Sequence, residues 1–341
     1  VDNVFVIFPG KDEADDPDNN QDCIWSHSWF ITSGAQLPTL TLDGKTIDQY
    51  ACTAELMRLQ TGYALAGIGT FCHEFAHTLG LPDFYDTDYD ESGGWAAGLW
   101  ITTSLMDGGN SNNNSNTPPF LNSIERMMTG LAEPVTITGN GTYTLEPLHK
   151  SNRFYKIETD RKDEYYLLEC READGWDSHI GGSGMLVYHI DRSTPSAWNY
   201  NEVNCNPAHQ NADLVEADRR TEILTDANYW SLVGNIGGIF FPYGSTNSLT
   251  PRSTPGLKFW SGKAGEVSIK EIRRDGGKIT FNVLGFEGEQ PPAPTNLKVE
   301  AFMDAAILNF ESDRAYDGEA TIVWNKAGQE EETLRLQPYE T

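Results

Sequence analysis

The segment from Ile68 to Asp83 constrains this chain more than any other. Ile68, Phe71, Cys72, Phe75 and Leu79 recur at steps of three and four, which predicts a helix over 68–79 with one apolar stripe. Gly80 stops that helix, because glycine enters positive φ without penalty, and Pro82 prevents its restart. The helix carries His73, Glu74 and His77. Residues four apart share a helix face, so both imidazoles can reach one ion, and neutral imidazole is a good zinc ligand. Glu74 follows His73 directly and flanks such a site without binding the metal. There it can act as general base and then general acid toward water held by the ion. The turn at Gly80 brings Asp83 back as an oxygen ligand. Two histidines and one carboxylate leave the fourth position open, as a catalytic site needs. A surface helix with two solvated histidines is the plainer reading, but it leaves Gly80 and Asp83 without a purpose.

Around this segment the pattern changes twice. Residues 1–8 read as a buried core strand from the first residue, so the chain is expected to begin inside a longer precursor. Residues 11–22 form an acidic, solvated loop, and 23–31 is aromatic-rich and strand-like. A short helix is expected within 48–60 and another over 121–131. A Gly/Asn tract runs from Gly108 to Asn116. From about residue 136 alternating strands take over, at 142–145, 154–157, 165–168 and 185–190. A hairpin is expected across Asp275-Gly276-Gly277. Residues 290–294 read as a Pro-rich linker. The division expected is therefore 1–135, a β-rich module over 136–288, and a partial β-sandwich over 295–341. The fold class is α+β.

The run His73-Glu74-Phe75-Ala76-His77-Thr78-Leu79-Gly80-Leu81-Pro82-Asp83 resembles the metzincin pattern, with Asp in the third ligand place. Extended to Asp86, it is similar to the signature of the M6 (immune inhibitor A-like) peptidases. Residues 24–29, 166–169, 184–191 and 214–218 support the resemblance in the right order, and it spans most of 1–285. It implies a metzincin-like catalytic domain in a secreted bacterial zinc endopeptidase acting on proteins or peptides. It also makes Met106, within Ser104-Leu105-Met106-Asp107, the candidate methionine turn beneath the ligands; by spacing alone Met106 is ordinary core. A rival third ligand is Glu125, since thermolysin-like enzymes take a Glu from a later helix. Asp83 is preferred for its short-range position after Gly80.

Composition limits the alternatives. There are 24 Lys and Arg against 50 Asp and Glu, a net charge of −26, which repels phosphate backbones and argues against nucleic acid as a partner. No apolar run is long enough to span a membrane. Asp83, Asp86, Asp88, Asp90 and Glu91 crowd one loop, so a structural calcium near Asp86 and Asp88 is a further expectation. His27, His149, His179, His189 and His209 have no ligand spacing, and His189 reads as a hydrogen-bonded core residue. The reading from another class is a catalytically incomplete scaffold that binds surface proteins or carbohydrate.

Overall fold

The computed structural model describes residues 3–15, 22–89, 91–218, 236–263 and 265–286, together with the backbone of four strands between 295 and 336. The expected linker at 290–294, Asp90 and residues 16–21 of the acidic loop lie outside the described residues. The described chain is a mixture of several sheets with few helices.

The N-terminal sheet is built on one long strand. β1 (Val4–Lys11) runs parallel to β5 (Gln49–Leu59), while β2 (His27–Phe30) and β6 (Gly62–Leu65) pair with β5 antiparallel. Between β2 and β5 lies a small hairpin of β3 (Leu40–Leu42) and β4 (Lys45–Ile47). Two expectations are corrected here. The helix expected within 48–60 is strand β5. Its backbone groups are taken by three partner strands, and that pairing overrides any local helical preference. The strand at the N-terminus is real but not a core strand, since only Phe8 in β1 is buried while Val6 and Ile7 are exposed. Among the described strands β1 lies at the edge, with β5 as its neighbour.

Helix α1 (Ile68–Thr78) follows, and its stop matches the expectation. Leu81 N–H donates to the Ala76 carbonyl and Gly80 N–H to that of His77, which is a Schellman closure with Gly80 at φ +90°. Which face is buried differs from expectation. Ile68, Phe71 and Leu79 remain exposed, whereas Gly69, His73, Glu74 and Ala76 are buried. The apolar stripe packs only in part, with Phe71 against Phe5 at 4.2 Å between ring centroids. The face that enters the protein is the one carrying the histidines.

The helix start is set by a close backbone approach. Gly69 N–H donates to the Ser115 carbonyl, and a Cβ on Gly69 would lie 1.8 Å from the Asn110 carbonyl oxygen. The Gly/Asn tract thus packs against α1, with Asn113, Asn114 and Ser115 in the left-handed region. Helix α2 (Ser123–Met128) carries a capping box in which Asn122 and Glu125 satisfy each other's backbone N–H.

The second half is organised by a five-stranded sheet. Its strands are β7 (Val135–Thr136), β9 (Tyr155–Glu158), β10 (Glu164–Arg171), β11 (Gly184–Asp191) and β12 (Ala212–Leu214), in the order β12-β11-β10-β9-β7. Alternate residues of β10 and β11 serve two cores. Leu167, Leu186, Tyr188 and Ile190 join a cluster with Ala76, Phe84, Met106 and Ile124. Leu168, Cys170, Met185 and Val187 face the other way, onto a sheet of β8 (Gly141–Leu145), β13 (Ser268–Asp275) and β14 (Lys278–Leu284). The β13–β14 hairpin turns where expected, with Asp275 paired to Lys278. Short helices α3 (Leu148–Ser151) and α4 (Pro195–Asn199) lie in the connections. Beyond residue 294, β15 (Thr295–Ala301) pairs with β16 (Ala306–Glu311), and β17 (Ala320–Trp324) with β18 (Glu332–Leu336). None of the described helices is long and apolar enough to cross a membrane.

Candidate metal centre

His73 and His77 project from successive turns of α1, their rings edge to face at 4.9 Å. Each ring is oriented by a backbone carbonyl. His73 Nδ1 bonds the Leu105 carbonyl and His77 Nδ1 that of Leu81, both at 2.8 Å. With Nδ1 as donor, the neutral form of each ring has its lone pair on Nε2. Asp83 completes the group. Its Oδ1 lies 3.1 Å from His73 Nε2 and 3.4 Å from His77 Nε2, and has no hydrogen bond of its own despite being buried. The three donor atoms lie within 4.8 Å of one another and could hold a metal ion.

Electrostatics follow from this crowding. Burial disfavours the charged form of His73, but the Asp83 carboxylate facing its ring outweighs it and raises the imidazolium to about 9. Burial opposes ionisation of Asp83 as well, yet the two histidines hold its carboxyl well below the usual range. Glu74 is buried, and burial pushes its carboxyl up, with the charge of Asp83 adding and His73, His77 and His27 opposing. The Tyr85 hydroxyl is raised by burial and by Asp83 beside it.

Met106 is fully buried in the cluster that contains Ala76 of α1. Its carbonyl accepts Phe84 N–H at 2.8 Å, and its neighbour Leu105 is the residue that orients His73. The turn is held from below by Glu125. Glu125 Oε1 accepts Ser104 Oγ and Met106 N–H, and Oε2 accepts Asn122 N–H. The rival ligand is thus fully engaged in supporting the turn. Asp107 adds three backbone contacts, accepting from Leu99, Ile101 and Gly108.

Asp86 and Asp88 come together with the Cys205 sulfur. Asp86 also accepts N–H bonds from Asp88 and Ala96. Calcium takes six to eight oxygens, and a thiol is not among its ligands. His189 bonds Glu164 Oε1 at 2.8 Å and is stacked between Tyr166 and Trp260. Two contacts near the centre lay beyond the sequence reading. His27 Nε2 meets the Tyr50 hydroxyl at 2.8 Å, and its charge acts on Glu74. Asn201 contacts Asp83 from the far half of the chain.

Residues 1–122, which contain all of His73, Glu74, His77, Asp83 and Met106, match the family model of the immune inhibitor A peptidase M6 catalytic domain. Over this segment the chain is similar to the M6 peptidase family. That family model describes a peptidase catalytic domain. A curated relative, "Immune inhibitor A" of Bacillus thuringiensis subsp. alesti, is 33% identical over 100 residues. That stretch is 27% of this chain and covers 13% of the relative's length.

Proposed function

We propose that the chain is a secreted, zinc-dependent endopeptidase in which His73, His77 and Asp83 hold the metal and Glu74 is the general base and acid. The observation that supports this most directly is Asp83 Oδ1, buried, without a hydrogen bond and aimed at both Nε2 atoms. Its separations of 3.1 and 3.4 Å suit zinc. Bonds of about 2.1 Å in a tetrahedron put ligand atoms about 3.4 Å apart. When bound, zinc supplies Lewis acidity to a water and to the substrate carbonyl.

The rest falls to the chain. The carbonyls of Leu105 and Leu81 keep the imidazole rings turned, and Met106 floors the site. Glu74 takes the proton from the attacking water and passes it to the leaving amine, a role worth roughly 10²–10⁴ in rate. Residues 1–135 form a metzincin-like catalytic domain in this proposal. Residues 136–288 are a β-rich module packed on it, and 295–341 a partial β-sandwich. Calcium at Asp86 and Asp88 is not included, because the third donor there is a thiol.

The test is zinc content together with casein or gelatin hydrolysis for the wild type and for Glu74→Ala and Glu74→Gln. All three proteins are expected to hold one zinc, with hydrolysis at least about a hundredfold slower in both variants. A zinc-loaded wild type no more active than Glu74→Ala would point instead to a binding scaffold.

A further inference from the structure

The third ligand is held by a residue far outside the family-matched segment. Asp83 N–H donates to Asn201 Oδ1 at 2.6 Å, and Asn201 Nδ2 donates back to Asp83 Oδ2 at 2.6 Å. The two bonds close a ring through one side chain and fix the Asp83 carboxylate in both position and rotation. Oδ2 is occupied by the amide, so Oδ1 is the oxygen left facing His73 and His77. A carboxylate free to turn would offer either oxygen, or neither, to a metal.

Asn201 is itself fixed. Its backbone is in the left-handed region at φ +63°, which asparagine tolerates better than most residues. Its carbonyl accepts the Thr87 hydroxyl at 2.8 Å. On the N-terminal side, Trp198 donates from Nε1 to the Asp191 carbonyl and meets Phe84 edge to face. On the C-terminal side, Asn204 Nδ2 donates to the carbonyls of both Phe84 and Ala212. The strap 198–204 therefore grips residues 83–87 at three points while anchored to β11 and β12. The amide is also the one group of its size suited to the task. It presents an acceptor to the Asp83 N–H and a donor to the carboxylate, whereas an aspartate would present two acceptors.

We propose that Asn201 is a positioning residue for the metal centre, so that the β-rich half of the chain completes a site whose ligands all lie in the first 122 residues. This rests on the zinc reading of His73, His77 and Asp83. Hydrogen-bond partners that orient metal ligands are worth about 10–100-fold in metal affinity.

The experiment measures zinc affinity by competition with a chromogenic chelator for the wild type, Asp83→Ala, Asn201→Ala and the isosteric Asn201→Asp, with circular dichroism to show that each is folded. A role limited to holding the strap would lower the melting temperature and leave the zinc affinity of folded protein unchanged. The expectation is zinc binding about 10–100-fold weaker in Asn201→Ala and at least as weak in Asn201→Asp. Wild-type affinity within about twofold in folded Asn201→Asp or Asn201→Ala, with Asp83→Ala losing zinc, overturns the positioning role alone. A wild type without zinc, or an Asp83→Ala that keeps it, overturns the metal reading on which the role rests.

Discussion

Glu125 provides the sharpest check on how the centre is supported. It is fully buried, and three donors point at its carboxylate: Ser104 Oγ at 2.6 Å, Met106 N–H at 3.0 Å and Asn122 N–H at 2.7 Å. Burial raises the Glu125 carboxyl, and those hydrogen bonds oppose the shift. In Glu125→Ala all three donors lose this acceptor, but Met106 N–H keeps Ser104 Oγ at 3.1 Å. The serine hydroxyl can rotate to another partner, so the Asn122 N–H left without an acceptor and the void left by the side chain set the cost. At about 1–3 kcal/mol for the unsatisfied group and about 1–2 kcal/mol for the void, the loss is about 2–5 kcal/mol. Glu125→Gln keeps the shape and the oxygen toward Met106, but turns an amide N–H toward that of Asn122. It loses one group, about 1–3 kcal/mol. Urea unfolding at unchanged m-value reads both numbers. A loss under about 1 kcal/mol in Glu125→Ala, or equal losses in the two variants, would refute the argument. Zinc content adds a second arm. Folded Glu125→Ala is expected to retain the metal and Asp83→Ala to lose it, and the opposite pattern would make Glu125 the third ligand.

Other expectations follow from the same structure. Arg171 is buried, bonds Asp177 through Nε at 2.8 Å and Nη2 at 2.6 Å, and reaches the Thr103 and Phe120 carbonyls. Asp177→Ala leaves that guanidinium with less compensation and is expected to cost about 3–5 kcal/mol by urea denaturation; a near-neutral result would show that the pair is not coupled to folding. Gly69→Ala places a methyl 1.8 Å from the Asn110 carbonyl oxygen, so α1 must shift. A loss of at least about 1–3 kcal/mol is expected, and wild-type stability in that variant would contradict the close approach. Burial pushes the Asp213 and Glu216 carboxyls up to about 7 and about 8, the charge of Asp213 adding to the effect on Glu216. Unfolded, both titrate near about 4, so above that pH the native state binds more protons than the unfolded chain. Their contribution to stability is complete below about pH 4 and is lost as pH rises through 7 and 8. The urea midpoint of the wild type should therefore fall between pH 6 and pH 9 more steeply than that of an Asp213→Asn, Glu216→Gln variant, and parallel profiles would exclude these two groups as the cause.

What the sequence determined by itself is local. Helix α1, its Gly80 stop and the spacing of His73, Glu74 and His77 follow from a 3.6-residue period and a residue that accepts positive φ, both properties of neighbours along the chain. The β13–β14 hairpin and the strands of β10 and β11 were legible for the same reason. Glu125 could also have been read as a support, because Asn122 three residues before it marks a capping box. The tertiary structure decided the rest. Residues 49–59 are a strand because β1, β2 and β6 pair with them. The histidine face of α1 is buried, and much of its apolar stripe is not, because carbonyls at Leu81 and Leu105 and the carboxylate of Asp83 converge on that face. Asn201 lies 118 residues from Asp83 along the chain, and no periodicity or turn signal links the two. Their contact exists only because β11, β12 and the strap between them carry the amide back onto the ligand loop, and a contact closed over that distance leaves no trace in local pattern.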